Sequence, residues 1–145
     1  MRMILNILLT LTMMMGLMIA APAVAHAEDI TVQVRSISAS NGEGFDPKLE
    51  DLRSKLAKAF KGYTKFQLIG DTTFPVAEGE KKTIRLPNGA SMSVTFHGLA
   101  GKFIKLGLGI AGKLNTTLRA SSGSTFFQAG LEYQDGILIL AITVH

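Results

Sequence analysis

Nine consecutive residues near the end of the chain, Gly136 to Val144, carry no charge and read Gly-Ile-Leu-Ile-Leu-Ala-Ile-Thr-Val. In an extended chain successive side chains point to opposite faces, so a run that is apolar at both alternating sets of positions needs cover on two sides. Its length and its isoleucine, threonine and valine content suit a strand better than a helix, and Asp135-Gly136 just ahead offers a turn. A central strand is expected, with the rest of the chain supplying a layer on each side.

The first 27 residues stand apart from that argument. Arg2 gives a positive start, Ile4 to Ala21 is an apolar run, and Ala25-His26-Ala27 places small residues where a signal peptidase reads them. Residues 1–27 are therefore expected to be a cleaved signal peptide and 28–145 a single domain; the alternative is a leader retained as a membrane anchor. Cysteine is absent, which excludes a disulfide framework, a thiolate nucleophile and a cysteine-based zinc site. An exported chain without cysteine points to a bacterial periplasm or exterior, so a periplasmic or secreted protein is expected. The formal net charge of +4, which includes Arg2, is too small to predict a nucleic-acid partner.

Along the mature chain, Ile30, Val32 and Val34 alternate with Thr31, Gln33 and Arg35 as in a half-buried strand. Asp46-Pro47 is a helix start, with aspartate to cap free amides and proline at the first helical position. Leu49, Leu52, Leu56 and Phe60 then put one apolar stripe on an amphipathic helix of about residues 47–61, stapled by Phe45, braced by an Asp51–Lys55 pair and ended by Gly62 as a left-handed cap. Beyond Tyr63, short apolar stretches alternate with glycine. Strands are expected at Lys65–Ile69, Thr72–Ala77 (at an edge, or irregular, because of Pro75), Thr83–Leu86, Ser91–Phe96, Lys102–Ile110, Leu114–Ala120, Ser124–Ala129 and Leu131–Asp135. Pro87-Asn88-Gly89-Ala90 marks one hairpin and Ser121-Ser122-Gly123 a second. The fold class expected is α+β or mainly β: an antiparallel sandwich or partly closed barrel of about eight or nine strands with one helix on a side or end.

Chemistry-bearing residues are sparse. His97 ends a predicted strand and is the single candidate for a general base, without a nucleophile elbow beside it, so a hydrolase ranks third among the readings. The spacing of histidines and acids matches no zinc or calcium motif, and no cofactor is expected. Gly107-Leu108-Gly109-Ile110-Ala111-Gly112 matches a dinucleotide fingerprint as a string, but it continues a strand rather than opening a helix. Gly107 and Gly109 flatten one face of their strand and, with Phe96, Phe103, Phe126 and Phe127, compose a candidate wall for an apolar or lipid ligand. Arg53, Lys55, Lys58, Lys61 and Lys65 make the helix and its exit the expected basic surface, fit for an anionic lipid or lipopolysaccharide surface or an acidic envelope protein.

Thr116-Thr117-Leu118-Arg119, Gly123-Ser124-Thr125-Phe126-Phe127 and Gly130 together resemble the strand, glycine turn, strand, glycine pattern in the β-domain of bacterial secretins. That resemblance implies an envelope setting and a β-hairpin in this segment. Val32 to Val144 also resembles uncharacterised exported proteins of Gram-negative bacteria, which implies no particular activity. The leading expectation is a non-enzymatic envelope domain that binds another envelope component or serves in an assembly such as secretion or a pilus, associating through strand edges. The alternative is a periplasmic binder of a small apolar ligand.

Overall fold

The computed structural model describes residues 29–145, so the leader and its cleavage site lie outside the described residues. Eight antiparallel strands form two four-stranded sheets: β1 (Ile30–Ser40), β2 (Lys65–Val76), β3 (Lys81–Arg85), β4 (Ser91–Ala100), β5 (Phe103–Ile110), β6 (Leu114–Ser121), β7 (Thr125–Tyr133) and β8 (Gly136–Val144). The first sheet has the order β2-β1-β8-β7, and the second β3-β4-β5-β6. The expected sandwich is what forms.

β8 lies inside the first sheet between β1 and β7, and both of its faces are buried. Leu138, Leu140, Ile142 and Val144 enter the core between the sheets, while Ile139 and Ala141 face a second, smaller cluster under the helix. This is the physical content of a strand apolar at every position: alternate residues serve two different interiors. The core between the sheets is completed by Ile30, Val32 and Val34 of β1, by Met92, Val94 and Phe96 of β4 and by Ile104, Leu106, Leu108 and Ile110 of β5.

The helical segment differs in detail from a uniform helix over 47–61. Pro47–Leu52 is a 3-10 turn, and only Arg53–Ala59, here α1, is α-helical. Leu49 and Leu52 are three residues apart and align in a 3-10 turn; Leu56, four further on, aligns in an α-helix, so all three are buried. Asp46 caps the start, its Oδ1 accepting from the Lys48 amide at 3.0 Å, and its Oδ2 accepts from the Leu68 amide at 2.9 Å, tying the helix to β2. These two backbone donors hold the Asp46 carboxyl below the usual carboxylate range. Phe45 packs on Phe66 with ring centroids 5.9 Å apart, and the Arg53 guanidinium stacks 4.5 Å above its ring.

Four local expectations are corrected. Gly62 is not a left-handed cap: α1 ends on Phe60, whose φ is −128°, and its amide still donates to Leu56. Asp51 meets Arg35 of β1 across 3.1 Å rather than Lys55, because Arg35 emerges beneath the helix and its side chain is otherwise 11% exposed. Lys65–Ile69 and Thr72–Ala77 are one edge strand, β2, whose register shifts opposite Ser36 and Ile37 so that Ile69 is the extra residue. β6 and β7 do not form a hairpin; residues 122–124 carry the chain from the second sheet to the first, with the Gly123 amide donating to the Val144 carbonyl.

The turn into β8 is made by Gln134-Asp135, with Gln134 at a φ of 51°, while Gly136 already pairs with Tyr133. Glycine is required at 136 for another reason: a Cβ there would fall on the carbonyl oxygen of Ala39 in β1. The Asn88-Gly89 hairpin forms as expected, Gly89 taking a φ of 87° and the Asn88 side chain accepting from the Ala90 amide.

Candidate functional site

The two sheets differ in what covers them. Half of the first sheet's outer face is closed by the 3-10 turn and α1, whereas no described element lies over the outer face of the second sheet. Alternation along four strands decides what that open face carries. With Ile84, Val94, Leu108 and Leu118 turned inward, the outward positions are Lys81, Thr83 and Arg85 on β3, Ser91, Ser93 and Thr95 on β4, Lys105, Gly107 and Gly109 on β5, and Asn115, Thr117 and Arg119 on β6.

Register groups these residues into rows across the sheet. Lys81, Thr95, Gly107 and Thr117 form one row, Thr83, Ser93, Gly109 and Asn115 the next, and Lys105 stands directly opposite Arg119. The glycines give the face a furrow that neighbouring side chains enter: His97 Nε2 lies 2.8 Å from where a Gly107 Cβ would stand, and Ser93 Oγ 2.8 Å from that of Gly109. A shallow depression of about 430 Å³ runs between Lys81, Thr83, Ser93, Gly109 and Asn115.

Charge is the stronger feature of this face. From Lys81 to Leu131 the chain holds no aspartate or glutamate, yet it holds Lys81, Lys82, Arg85, Lys102, Lys105, Lys113 and Arg119. That span contains the whole second sheet. Lys82 pairs with Glu80 at 3.6 Å from the inner side of β3, so the outward cations Lys81, Arg85, Lys105 and Arg119 share one surface to which the four strands add hydroxyls and the Asn115 amide but no carboxylate. Two cations directly opposite across antiparallel strands repel, and such a pair lowers stability by a few tenths of a kcal/mol.

The helix and its exit carry a second, smaller group of cations. Arg53 is bound to Glu50 at 2.9 Å and stacked on Phe45, and Asp46, Glu50 and Asp51 all precede it, whereas Lys55, Lys58 and Lys61 are exposed on and just after α1; Lys65 begins β2 on the far side of the loop.

The six residues proposed as a ligand wall are separated by the fold. Phe96 is buried between the sheets, Phe126 packs against the same core from β7, and Phe127 faces the other way to meet Phe60 edge-on at 5.7 Å. Phe103 is 43% exposed, on the outer side of the second sheet with Gly107 and Gly109. Sequence alternation places each residue on a face of its own strand but does not say which sheet the strand joins. A depression of about 450 Å³ opens instead at one end of the sandwich, floored by Ile30, Phe96 and Ile104, walled by Leu99 and rimmed by Asp29, Glu78 and Lys102.

His97 is exposed at the β4 bulge, where it is the extra residue between Phe96 and Gly98, and its ring is laid on Gly107 while Ser93 lies over Gly109 one row away. Among the described residues no three His, Asp or Glu side chains gather as a metal site, and no helix is long and apolar enough to cross a membrane.

The acid-free span is legible in the sequence; its meaning is not, because only the topology puts all of it in one sheet with one face bare. Compared with protein-family models, with curated proteins and with solved structures, the chain matches none.

Proposed function

We propose that the protein is a non-enzymatic binding domain of the bacterial envelope, periplasmic or secreted, which holds an anionic envelope component on the outer face of β3–β6. The observation that carries this reading is the single sign of charge on an uncovered sheet: Lys81, Arg85, Lys105 and Arg119 face outward and the span from Lys81 to Leu131 has no carboxylate. A face built for solubility alone would mix signs, as the 3-10 turn does with Lys48, Glu50 and Asp51. An anion seated between Lys105 and Arg119 relieves their mutual repulsion, so the cost left in the free protein becomes a gain on binding.

The test is charge reversal with a matched control. Lys105→Glu/Arg119→Glu and Lys58→Glu/Lys61→Glu change net charge equally, on the sheet and on the helix. Binding to lipopolysaccharide and to phosphatidylglycerol vesicles, measured at several salt concentrations, falls strongly for the sheet variant and little for the helix variant, and the wild-type affinity declines as salt rises. Equal losses for both variants would mean that net charge, and not this face, governs association.

A further inference from the structure

We infer that the anionic component is a phospholipid bilayer, and that the turn between β4 and β5 is the wedge that enters it; this rests on the reading of the second sheet given above. Large apolar side chains exposed to solvent are confined, among the described residues, to Leu99 at 63% and Phe103 at 43%. Both flank the same turn. Leu99 pairs with Ile104 and Ala100 with Phe103, so the two side chains leave opposite faces of the hairpin tip around Gly101 and Lys102.

An exposed leucine or phenylalanine alone is ordinary. What distinguishes this pair is its setting: Lys102 lies in the turn, and Lys105 and Arg119 stand on the sheet next behind it. An apolar tip with a cationic shoulder matches the layered chemistry of a membrane surface, where acyl chains lie beneath phosphates. Leu99 and Phe103 would reach the upper acyl region, while the lysine and arginine stems extend along the interface with their charges at the phosphates. The nearest carboxylates, Asp29 and Glu78, line the sandwich mouth on the Leu99 side of the hairpin, the Glu78 carboxylate lying against Gly98, which pairs with Lys105. The chain also enters β1 through Asp29 at this same end. A soluble polyanion would use the cations and leave the apolar pair in water, and a bilayer uses both.

The test takes residues 28–145, which hold both clusters of the core, with sedimented vesicles of pure phosphatidylcholine or of phosphatidylcholine and phosphatidylglycerol. The chain has no tryptophan, so Phe103→Trp supplies a unique indole reporter at the tip. Partitioning onto the anionic vesicles with a blue shift of the indole emission is expected. Leu99→Ser/Phe103→Ser should lower the partition coefficient about tenfold and abolish the binding that survives high salt, whereas Lys105→Glu/Arg119→Glu should remove the preference for phosphatidylglycerol.

Three results overturn the inference. If the Leu99→Ser/Phe103→Ser variant binds as well as wild type and the indole of the Phe103→Trp variant stays in water, the wedge is wrong and the cationic face alone acts. If vesicles are ignored while a soluble lipopolysaccharide polysaccharide is bound through Lys105 and Arg119, the bilayer is wrong and the function proposed above stands. If neither surface is bound, both readings fall.

Discussion

Replacing Gly136 with alanine tests how the two ends of the fold are joined. The added Cβ would clash with the Ala39 carbonyl oxygen and stand 2.9 Å from its carbon and 3.1 Å from the Ser40 Cα, all backbone atoms that cannot swing aside. The strands must part where Ala39 pairs with Ile137, the last rung of the β1–β8 ladder. Losing one or two ladder hydrogen bonds costs about 1 kcal/mol each, and loosening Ala39 and the neighbouring Ile139 adds a similar amount, for a total of about 2–4 kcal/mol. In a domain of this size that lowers the melting temperature by roughly 10 °C or more. Gly62→Ala is the control, because nothing lies within 4 Å of its Cβ position and its φ is not positive. It should be neutral or slightly stabilising, through the lower entropy of the unfolded chain. Urea melts followed by circular dichroism give both values, and amide exchange at Ala39 and Ile137 localises the damage. Gly136→Ala within about 0.5 kcal/mol of wild type, or Gly62→Ala as costly as Gly136→Ala, would refute the packing argument.

Further outcomes follow from other contacts. Asp46→Asn should flatten the acid limb of the stability profile: a carboxyl whose folded pKa is depressed stabilises above its unfolded pKa and loses that contribution as pH falls through the folded value, below about pH 4. Melts of both proteins across that range should converge at the acid end. Phe127→Ala removes the edge-on partner of Phe60 and should cost about 2 kcal/mol, with amide protection lost first in α1. Arg119→Thr should raise stability by a few tenths of a kcal/mol at low salt, an advantage that disappears at high salt, while binding to anionic vesicles weakens.

Sequence reasoning did best where one physical demand ruled out alternatives. A strand apolar on both faces has to be central, and β8 is; a proline in a strand has to avoid a ladder position, and Pro75 lies on the edge strand β2. It erred where a single residue has several uses. Gly70-Asp71 falls between two expected strands and is strand after a bulge, Gly62 looked like a cap and has no positive φ, and Gly136 looked like a turn residue and is there for close approach. Ser121 to Gly123 reads equally well as a hairpin or as a passage between sheets, because both need a tight, polar turn. The functional surface was hidden by the same ambiguity. Lysines clustered on a helix are visible within a few residues, but Lys105 and Arg119 become neighbours, and Lys81 joins their face, only once register has been set.

The pairing of β1 with β8 has a temporal meaning. The second sheet can assemble hairpin by hairpin as β3 to β6 appear, but the first has no middle until its earliest and latest strands meet, a closure spanning nearly the whole described chain. Until Gly136 to Val144 is available, β1 and β7 have nothing between them, so the core that the two sheets share can close only when the final strand arrives.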